Sequence, residues 1–308
     1  MQHCGGIRPR VRRNGAVALN GIVVLDKPAG ISSAAAVDRV KRALDAQRAG
    51  HGGTLDPIAT GVLVICLGEA TKIASYLLAD AKSYIAELTL GIETDTLDRT
   101  GNVVAVNDAS GVSRDQMEAA LRSRLGDQQQ LPPMFSAIKQ RGVRLYKQAR
   151  SGAQVERVPR PIRIDHLQLL GFDPPRATIS VACSKGTYIR SLISDLGRDL
   201  GCGAHLAELR RTRSGAFSID QAHTLEGLGP ANVLPMESGL ALPVIETSAD
   251  LVPRIRAGLQ LTTSQVAGSE AMQVDQRFQL QDEAGRLVAI AHVSGGRLSY
   301  DRVFRPLL

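Results

Sequence analysis

The sequence predicts an α+β fold in two parts, a larger domain of strands and helices followed by a small β-rich module. Three observations lead to this prediction. As far as Pro243, short apolar or alternating runs typical of strands are interspersed with amphipathic helical stripes. After Pro243, short alternating runs are separated by Gly-containing turns. The length of 308 residues also fits two domains, because one domain averages about 150 residues.

The larger domain opens with a buried strand and a helix. Residues 21–25 form a β-branched apolar run that ends in a turn, and Ser32 or Ser33 can cap the helix that follows. The apolar positions of this helix recur at helical spacing: Val37, Val40 and Leu44. Residues 50–57 form a Gly-rich loop, and residues 62–67 form a second buried strand.

The next elements continue this mixture of helices and strands. Residues 71–78 form a short helix, and residues 84–90 alternate as a half-buried strand with Tyr84 on its core side. Ser113 and Gln116 form a capping box that opens a further helix.

A second strand–helix pair follows a polar connection at residues 126–130. A strand over residues 178–182 leads into the clearest amphipathic helix of the chain, which ends at Gly201. We expect another helix beyond residues 201–203, ending at residues 209–213, where Arg side chains suit the helix dipole.

The C-terminal module is predicted to be mainly β. Residues 251–259 contain a short helical piece. Alternating runs at residues 272–280 and 287–293 flank a turn, and a final strand covers residues 298–304.

The composition is that of a basic globular protein. The 37 Lys and Arg exceed the 30 Asp and Glu by seven, and 44% of the residues are hydrophobic, which excludes a largely disordered chain. The positive balance suggests a polyanionic partner. The four cysteines are not spaced as metal ligands are, and we expect them to be reduced thiols in the cytoplasm. We expect a disordered basic tail at residues 1–15, no export signal and no membrane span.

The sequence lacks the common cofactor motifs, including the phosphate loop, the dinucleotide fingerprint and zinc-binding helices. Any enzyme here is therefore expected to use side chains alone, with no cofactor and no metal. Asp56 is the most suggestive carboxylate, since it lies in the Gly-rich loop and Pro57 biases it toward extended geometry. An ordinary Asp-Pro turn is the competing interpretation, and His51 in the same loop is compatible with simple solvation.

Two further segments are candidates for binding. Residues 183–190 join a strand to a helix, so Tyr188 and Arg190 either face a cleft or make ordinary surface contacts. Residues 139–163 hold eight basic residues and one acidic residue, a pattern that suits an arm on a phosphate backbone but also a solvated face. The candidates for backbone contacts are Lys139, Arg141, Arg144 and Lys147.

Several blocks of distinctive sequence lie in order within residues 21–215: Asp26-Lys27-Pro28 with Gly30 and Ser33, residues 50–63 (GHGGTLDPIATGVL), residues 67–72 (LGEATK), residues 132–139 (PPMFSAIK), Leu145-Tyr146, residues 183–190 (CSKGTYIR) and residues 201–211 (GCGAHLAELRR). Together these blocks resemble the bacterial tRNA pseudouridine synthases of the TruB type. The chain departs from the family pattern at Gly52, where that family commonly has Thr.

The resemblance implies a pseudouridine-synthase catalytic domain over residues 16–247, built on a mixed, largely antiparallel sheet flanked by helices. Within it, residues 126–163 form an RNA-contacting insertion. Residues 248–308 match more weakly and resemble the small barrel-like RNA-binding (PUA-like) module of that family.

The resemblance also implies an activity, the isomerisation of a uridine in the T-loop of tRNA to pseudouridine in the cytoplasm, by a monomer. Asp56 is then the catalytic aspartate, Arg190 pairs with it and Tyr84 stacks on the target base. The remaining residues at the pocket or the T-loop are His51, Tyr188 and Leu209. Isomerisation transfers no group and changes no redox state, so it requires no cofactor.

Two other functions are compatible with the sequence. The chain is either a non-catalytic RNA-binding or RNA-folding factor on the same scaffold, or a pseudouridine synthase that acts on other RNA. The intact Asp56, Tyr84, Tyr188 and Arg190 argue against a pure binder. The first chemical step is open between attack on the sugar, attack on the base and elimination.

Overall fold

The structure of the chain, a computed structural model, describes residues 19–78, 81–134 and 157–305, together with the backbone of residues 139–140 and 143–144. The predicted basic tail lies outside the described residues. The same holds for Arg141 and Lys147 and for the side chains of Lys139 and Arg144.

Strands dominate the described part of the chain. The strands are β1 (Gly21–Lys27), β2 (Ala49–His51), β3 (Thr60–Leu67), β4 (Lys82–Leu90), β5 (Ile92–Thr94), β6 (Val103–Val106), β7 (Gly126–Gln130), β8 (Lys139–Gln140), β9 (Val143–Arg144), β10 (Arg160–Asp173), β11 (Arg176–Cys183), β12 (Ala204–Ser214), β13 (Phe217–Ser218), β14 (Val244–Glu246), β15 (Phe278–Gln281), β16 (Leu287–Ser294) and β17 (Arg297–Val303). The α-helices are α1 (Ser33–Ala43), α2 (Ala74–Leu77), α3 (Arg114–Ser123), α4 (Ile189–Asp199) and α5 (Leu251–Arg256).

A nine-stranded sheet organises the larger part of the chain. Its main path runs β1-β3-β12-β4-β11-β10-β7, with β2 paired to β3 and β13 paired to β12. All neighbouring strands of this sheet are antiparallel except β3 and β12, which are parallel. In this pair Arg210 lies opposite Thr60 and Arg211 lies opposite Gly61. The sheet is therefore mixed and largely antiparallel, as predicted.

Burial explains the two kinds of strand pattern. β1 and β3 are buried on both faces, because their alternate residues belong to two separate hydrophobic clusters. Strands buried on both sides read as continuous apolar runs, which is what residues 21–25 and 62–67 show. β4 and β11 cover the core with one face only, so their sequences alternate.

The helices that cover the sheet begin and end where their capping residues predict. The Ser32 hydroxyl caps α1 by accepting from the Ala35 N–H at 3.1 Å. Ser113 and Gln116 form both bonds of a capping box at the start of α3. Gly201 follows α4 with φ of +76°, a backbone conformation that favours glycine.

The C-terminal module is a four-stranded sheet in the order β14-β15-β16-β17, packed with α5 over its own apolar cluster. It also packs against the larger domain, because Leu287, Ile290 and Phe304 join the cluster on the outer side of β1 and β3. The Lys72 ammonium donates to the Val303 carbonyl across this contact at 2.8 Å.

Several local predictions are wrong. The expected helix ending at residues 209–213 is strand β12, whose alternation is broken by a bulge between Leu206 and Glu208. The polar connection at residues 126–130 is the edge strand β7, paired through its backbone to the long strand β10, which the sequence analysis missed.

Two other boundaries are also corrected. The predicted helix at residues 71–78 starts within a 3₁₀ segment, Gly68–Ile73, and continues as the four-residue α2. In the module, only Phe278–Gln281 of the predicted run 272–280 forms a strand, and Val274 is exposed.

Candidate active site

Asp56 lies in the loop between β2 and β3, and this loop is anchored on both sides of the carboxylate. The Ser33 hydroxyl donates to the Leu55 carbonyl and accepts from the Leu55 N–H, each at 2.8 Å. The Gly30 N–H donates to the Pro57 carbonyl at 2.8 Å. The backbone groups of Leu55 and Pro57 are thereby bonded without the Asp56 side chain, which is 37% exposed. The carboxylate is free to face a substrate rather than cap a turn.

Arg190 brings a buried cation to Asp56. It lies in the first turn of α4 with its side chain 5% exposed, and its Nε lies 2.9 Å from Asp56 Oδ2. Its Nη1 donates to the Thr96 carbonyl at 3.0 Å, and Asp98 Oδ2 lies 3.8 Å from Nε. A buried guanidinium held on several sides is costly to leave unpaired, so the Asp56–Arg190 pair is fixed in geometry.

Asp98 was missed by the sequence analysis. Its side chain is 8% exposed, and Oδ1 accepts from the Thr96 hydroxyl at 2.9 Å and from the Thr100 N–H at 2.9 Å. It therefore organises the turn whose Thr96 carbonyl accepts from Arg190. The run of Asp and Thr in residues 94–100 is the signal that predicts such a turn.

Tyr84 and Leu209 lie on the core face of neighbouring strands. Tyr84 of β4 is paired with Arg211 of β12, and Ala86 is paired with Leu209, so these side chains share one face. Tyr84 is 9% exposed and Leu209 is 7% exposed. Burial raises the pKa of the Tyr84 phenol, and the Asp56 carboxylate is near enough to contribute in the same direction.

Tyr188 is the N-cap residue of α4, two positions before Arg190. Its N–H donates to Gln130 Oε1 at 2.8 Å, and its carbonyl accepts from Gln130 Nε2 at 3.0 Å. These bonds fasten the start of α4 to the edge strand β7. The Arg190 side chain is consequently held in register with the sheet.

His51 ends β2 and is half-buried at the other end of the Asp56 loop. Its Nδ1 accepts from the Gly53 N–H at 3.4 Å. Burial, reinforced by the charge of Arg211, lowers the pKa of the imidazole. The ring is therefore neutral at physiological pH and suited to contact or packing rather than to carrying a charge.

Two buried cations behind the loop were given no role by the sequence analysis. Lys27 is fully buried at the end of β1, and its ammonium donates to the carbonyls of Pro28 and Ile31 at 2.8 and 2.9 Å. Burial lowers its pKa to about 8, although the charge of Asp56 opposes this shift. Arg211 is 1% exposed. Lys27 follows the apolar run at the predicted turn, so its position in the sequence gave no signal that it is buried.

The basic segment is only partly described. Arg160 and Arg163 belong to β10, and Arg163 is paired with Asp127 at 3.1 Å and Asp165 at 2.8 Å. The predicted backbone contacts of Lys139, Arg141, Arg144 and Lys147 concern side chains outside the described residues and stay a prediction.

Neither a metal centre nor a membrane span emerges from the described residues. Within residues 19–78, 81–134 and 157–305, no three His, Cys, Asp or Glu side chains are grouped so that they could hold a metal ion. In the same part of the chain, every helix is too short or too polar to cross a bilayer. Cys66, Cys183 and Cys202 are buried free thiols, and burial raises the pKa of Cys66 to about 12.

The fold matches solved structures over nearly its whole length. A structure described as a Cbf5-Nop10-Gar1 complex aligns with 98% of this chain and 90% of that chain, with a TM-score of 0.73 and 27% identity. A structure of the archaeal box H/ACA sRNP Nop10-Cbf5 complex aligns with a TM-score of 0.70 and 27% identity. The mixed α+β architecture is therefore a known one.

Family models define the class, which is that of the pseudouridylate synthases. Residues 41–189 match the N-terminal domain of the TruB family pseudouridylate synthases, and residues 190–241 match the C-terminal domain of tRNA pseudouridylate synthase B. The tRNA pseudouridine synthase B of Pseudomonas aeruginosa is 45% identical over 96% of this chain and 98% of its own length. That of Bordetella pertussis is 48% identical over 77% of this chain and 97% of its own length. The chain belongs to the TruB family.

Proposed function

We propose that this chain isomerises a uridine in the T-loop of tRNA to pseudouridine, with Asp56 as the catalytic residue. The observation that carries the proposal is the partly exposed Asp56 carboxylate held at 2.9 Å by the buried Arg190. Relatives named tRNA pseudouridine synthase B, at 44–48% identity, support the activity and the substrate. The T-loop position rests on the motif resemblance.

The chemistry requires little beyond such a carboxylate and a pocket for a base. The N1–C1′ bond of uridine breaks, the uracil turns, and a C5–C1′ bond forms while the proton leaves C5 and N1 gains one. No atom is added and no electron is lost. A fixed carboxylate is able to act as a nucleophile or as a base in this sequence. The first step is open between attack on the sugar, attack on the base and elimination.

Base extrusion gives Tyr84 its proposed role. A uridine that reacts at C1′ must leave its stack, and an aromatic face next to the carboxylate restores part of the lost stacking. Tyr84 and Leu209 lie side by side on the strands next to the Asp56 loop. We assign them, with Tyr188, to the wall of the base pocket. We assign His51 and the C-terminal module at residues 248–308 to contacts with the folded RNA.

The test is a reaction of the purified chain with an unmodified tRNA transcript. Carbodiimide labelling followed by primer extension locates each pseudouridine that forms. We expect stoichiometric conversion of one T-loop uridine without added metal or cofactor. Conversion at another position would overturn the T-loop assignment, and binding without any conversion would favour an RNA-folding factor.

Assembly and location complete the proposal. We propose that the chain works as a monomer, in the cytoplasm, where bacterial tRNA is modified. Light scattering of the pure chain with and without tRNA tests the first point. A stable dimer in both samples would contradict it.

A further inference from the structure

Arg211, a residue of β12, connects the Asp56 loop to the sheet through its side chain. Its side chain is buried, and all three of its donor nitrogens are directed at backbone carbonyls. Nε donates to Val62 at 2.7 Å, Nη1 to Thr54 at 3.3 Å and Nη2 to Gly53 at 3.2 Å. The planar guanidinium thus joins the first part of the loop that carries Asp56 to strand β3.

Arg211 is also the direct neighbour of Tyr84 in the sheet, because the two residues are paired across β12 and β4. Burial raises the pKa of the Tyr84 phenol, and the positive charge of Arg211 opposes this shift. Arg211 therefore bonds the loop of the proposed catalytic carboxylate and is paired with the residue whose ring is proposed to stack on the base.

The backbone of Arg211 leaves this side chain little freedom. Gly61 of β3 pairs with Arg211 and has φ of +97°. A Cβ at Gly61 would lie 2.2 Å from the Arg211 carbonyl oxygen. Such a close approach is open only to glycine, so β3 and β12 are locked together next to the Asp56 loop.

We propose that Arg211 is a positioning residue for the isomerisation: by holding the carbonyls of Gly53 and Thr54 beside its cross-strand partner Tyr84, it sets the place of the Asp56 carboxylate relative to the stacked base. The inference rests on the proposed function. Arg211 itself is too deeply buried to touch the RNA, so it acts through Asp56 and Tyr84. Its neighbour Arg210 contrasts with it, since Arg210 is 42% exposed and pairs with Asp26 at 2.7 Å.

The experiment compares Arg211→Lys with the matched control Arg210→Lys in the full-length chain. Lysine keeps the charge but cannot bond three separated carbonyls. Binding of a tRNA transcript and the single-turnover rate with enzyme in excess are measured separately. We expect Arg211→Lys to bind tRNA as the wild type does and to react about a hundredfold more slowly, since small misplacement of reacting groups has effects of that order. Arg210→Lys should resemble the wild type in both.

A double-mutant cycle separates positioning from general stability. Tyr84→Phe removes the hydroxyl of the residue that is paired with Arg211 across the sheet. If Arg211 acts partly through Tyr84, the rate loss from Arg211→Lys is smaller in the Tyr84→Phe background than in the wild type. Equal losses in both backgrounds would overturn the connection to Tyr84.

Hydrogen exchange gives a readout independent of activity. The Leu55 and Ala59 amides donate within the Asp56 loop, to Ser33 and to the Asp56 carbonyl. We expect Arg211→Lys, but not Arg210→Lys, to accelerate their exchange. Wild-type exchange and a wild-type single-turnover rate in Arg211→Lys would overturn the inference. A wild-type chain without activity would overturn the proposed function instead, and exchange alone would then decide whether Arg211 fixes the loop. Arg211→Gln is used in the same comparison if the lysine variant does not fold.

Discussion

Gly52→Ala is predicted to destabilise the chain, because Leu77 already occupies the space of a side chain at position 52. A Cβ built on Gly52 lies 2.7 Å from Leu77 Cβ and 3.3 Å from Leu77 Cδ1. Cβ atoms do not approach so closely, and Leu77 Cβ cannot move without the backbone of α2. Overpacking of this kind costs about 1–3 kcal/mol.

Gly50→Ala, two residues earlier in strand β2, is the matched control. Its Cβ would meet only Thr71 Cγ2, at an ordinary 3.9 Å. Both substitutions stiffen the unfolded chain equally, so that effect cancels in the comparison. Urea unfolding should therefore place Gly52→Ala about 1–3 kcal/mol below Gly50→Ala in free energy of unfolding. Equal stabilities would refute the packing argument, and with it the explanation of why this chain has glycine where TruB-type sequences commonly have threonine.

Three further predictions concern the base, the RNA backbone and a buried charge. Tyr84→Phe should keep substantial activity and Tyr84→Leu should lose far more, because stacking is worth about 1–3 kcal/mol per base; a folded, fully active Leu variant would exclude stacking. Replacing Lys139, Arg141 and Arg144 together by Ala should weaken tRNA binding and flatten the log–log salt dependence by up to about 0.9 per lost phosphate contact, and an unchanged slope would show a solvated face. Lys27 has its pKa lowered from 10.5 to about 8, so between these pH values the unfolded chain binds a proton that the folded chain has lost. The wild type should therefore gain stability relative to Lys27→Met as pH rises through this window, by up to about 1.4 kcal/mol per pH unit in urea titrations; parallel pH dependences would contradict the burial of a charged lysine.

Much of the fold follows from local sequence signals. Residues 21–25 and 62–67 are apolar throughout because they are buried on both faces, and capping residues such as Ser32 and Ser113 mark helix starts by their chemistry. β12 was misassigned because its bulges interrupt the period of two. β7 was missed because its side chains are polar and show no strand pattern, whereas its pairing with β10 is made by the backbone.

Some contacts of the candidate site were likewise predictable from the sequence and others were not. The pairing of Asp56 with Arg190 was expected from the motif resemblance, and the structure has these side chains 2.9 Å apart although they are 134 positions apart in sequence. Asp98 and Arg211 were given no role. Each acts through contacts with another loop or strand, and no spacing within the sequence reveals such contacts before the sheet is assembled.

The central claim is that Asp56 performs the chemistry, and Asp56→Asn tests it most directly. The measurement is pseudouridine formed in a tRNA transcript, together with the dissociation constant of the same complex. The account predicts no detectable conversion by Asp56→Asn, while its tRNA affinity stays within about tenfold of the wild type, because phosphate contacts elsewhere supply most of the binding. Turnover by the Asn variant at a rate near that of the wild type would contradict it.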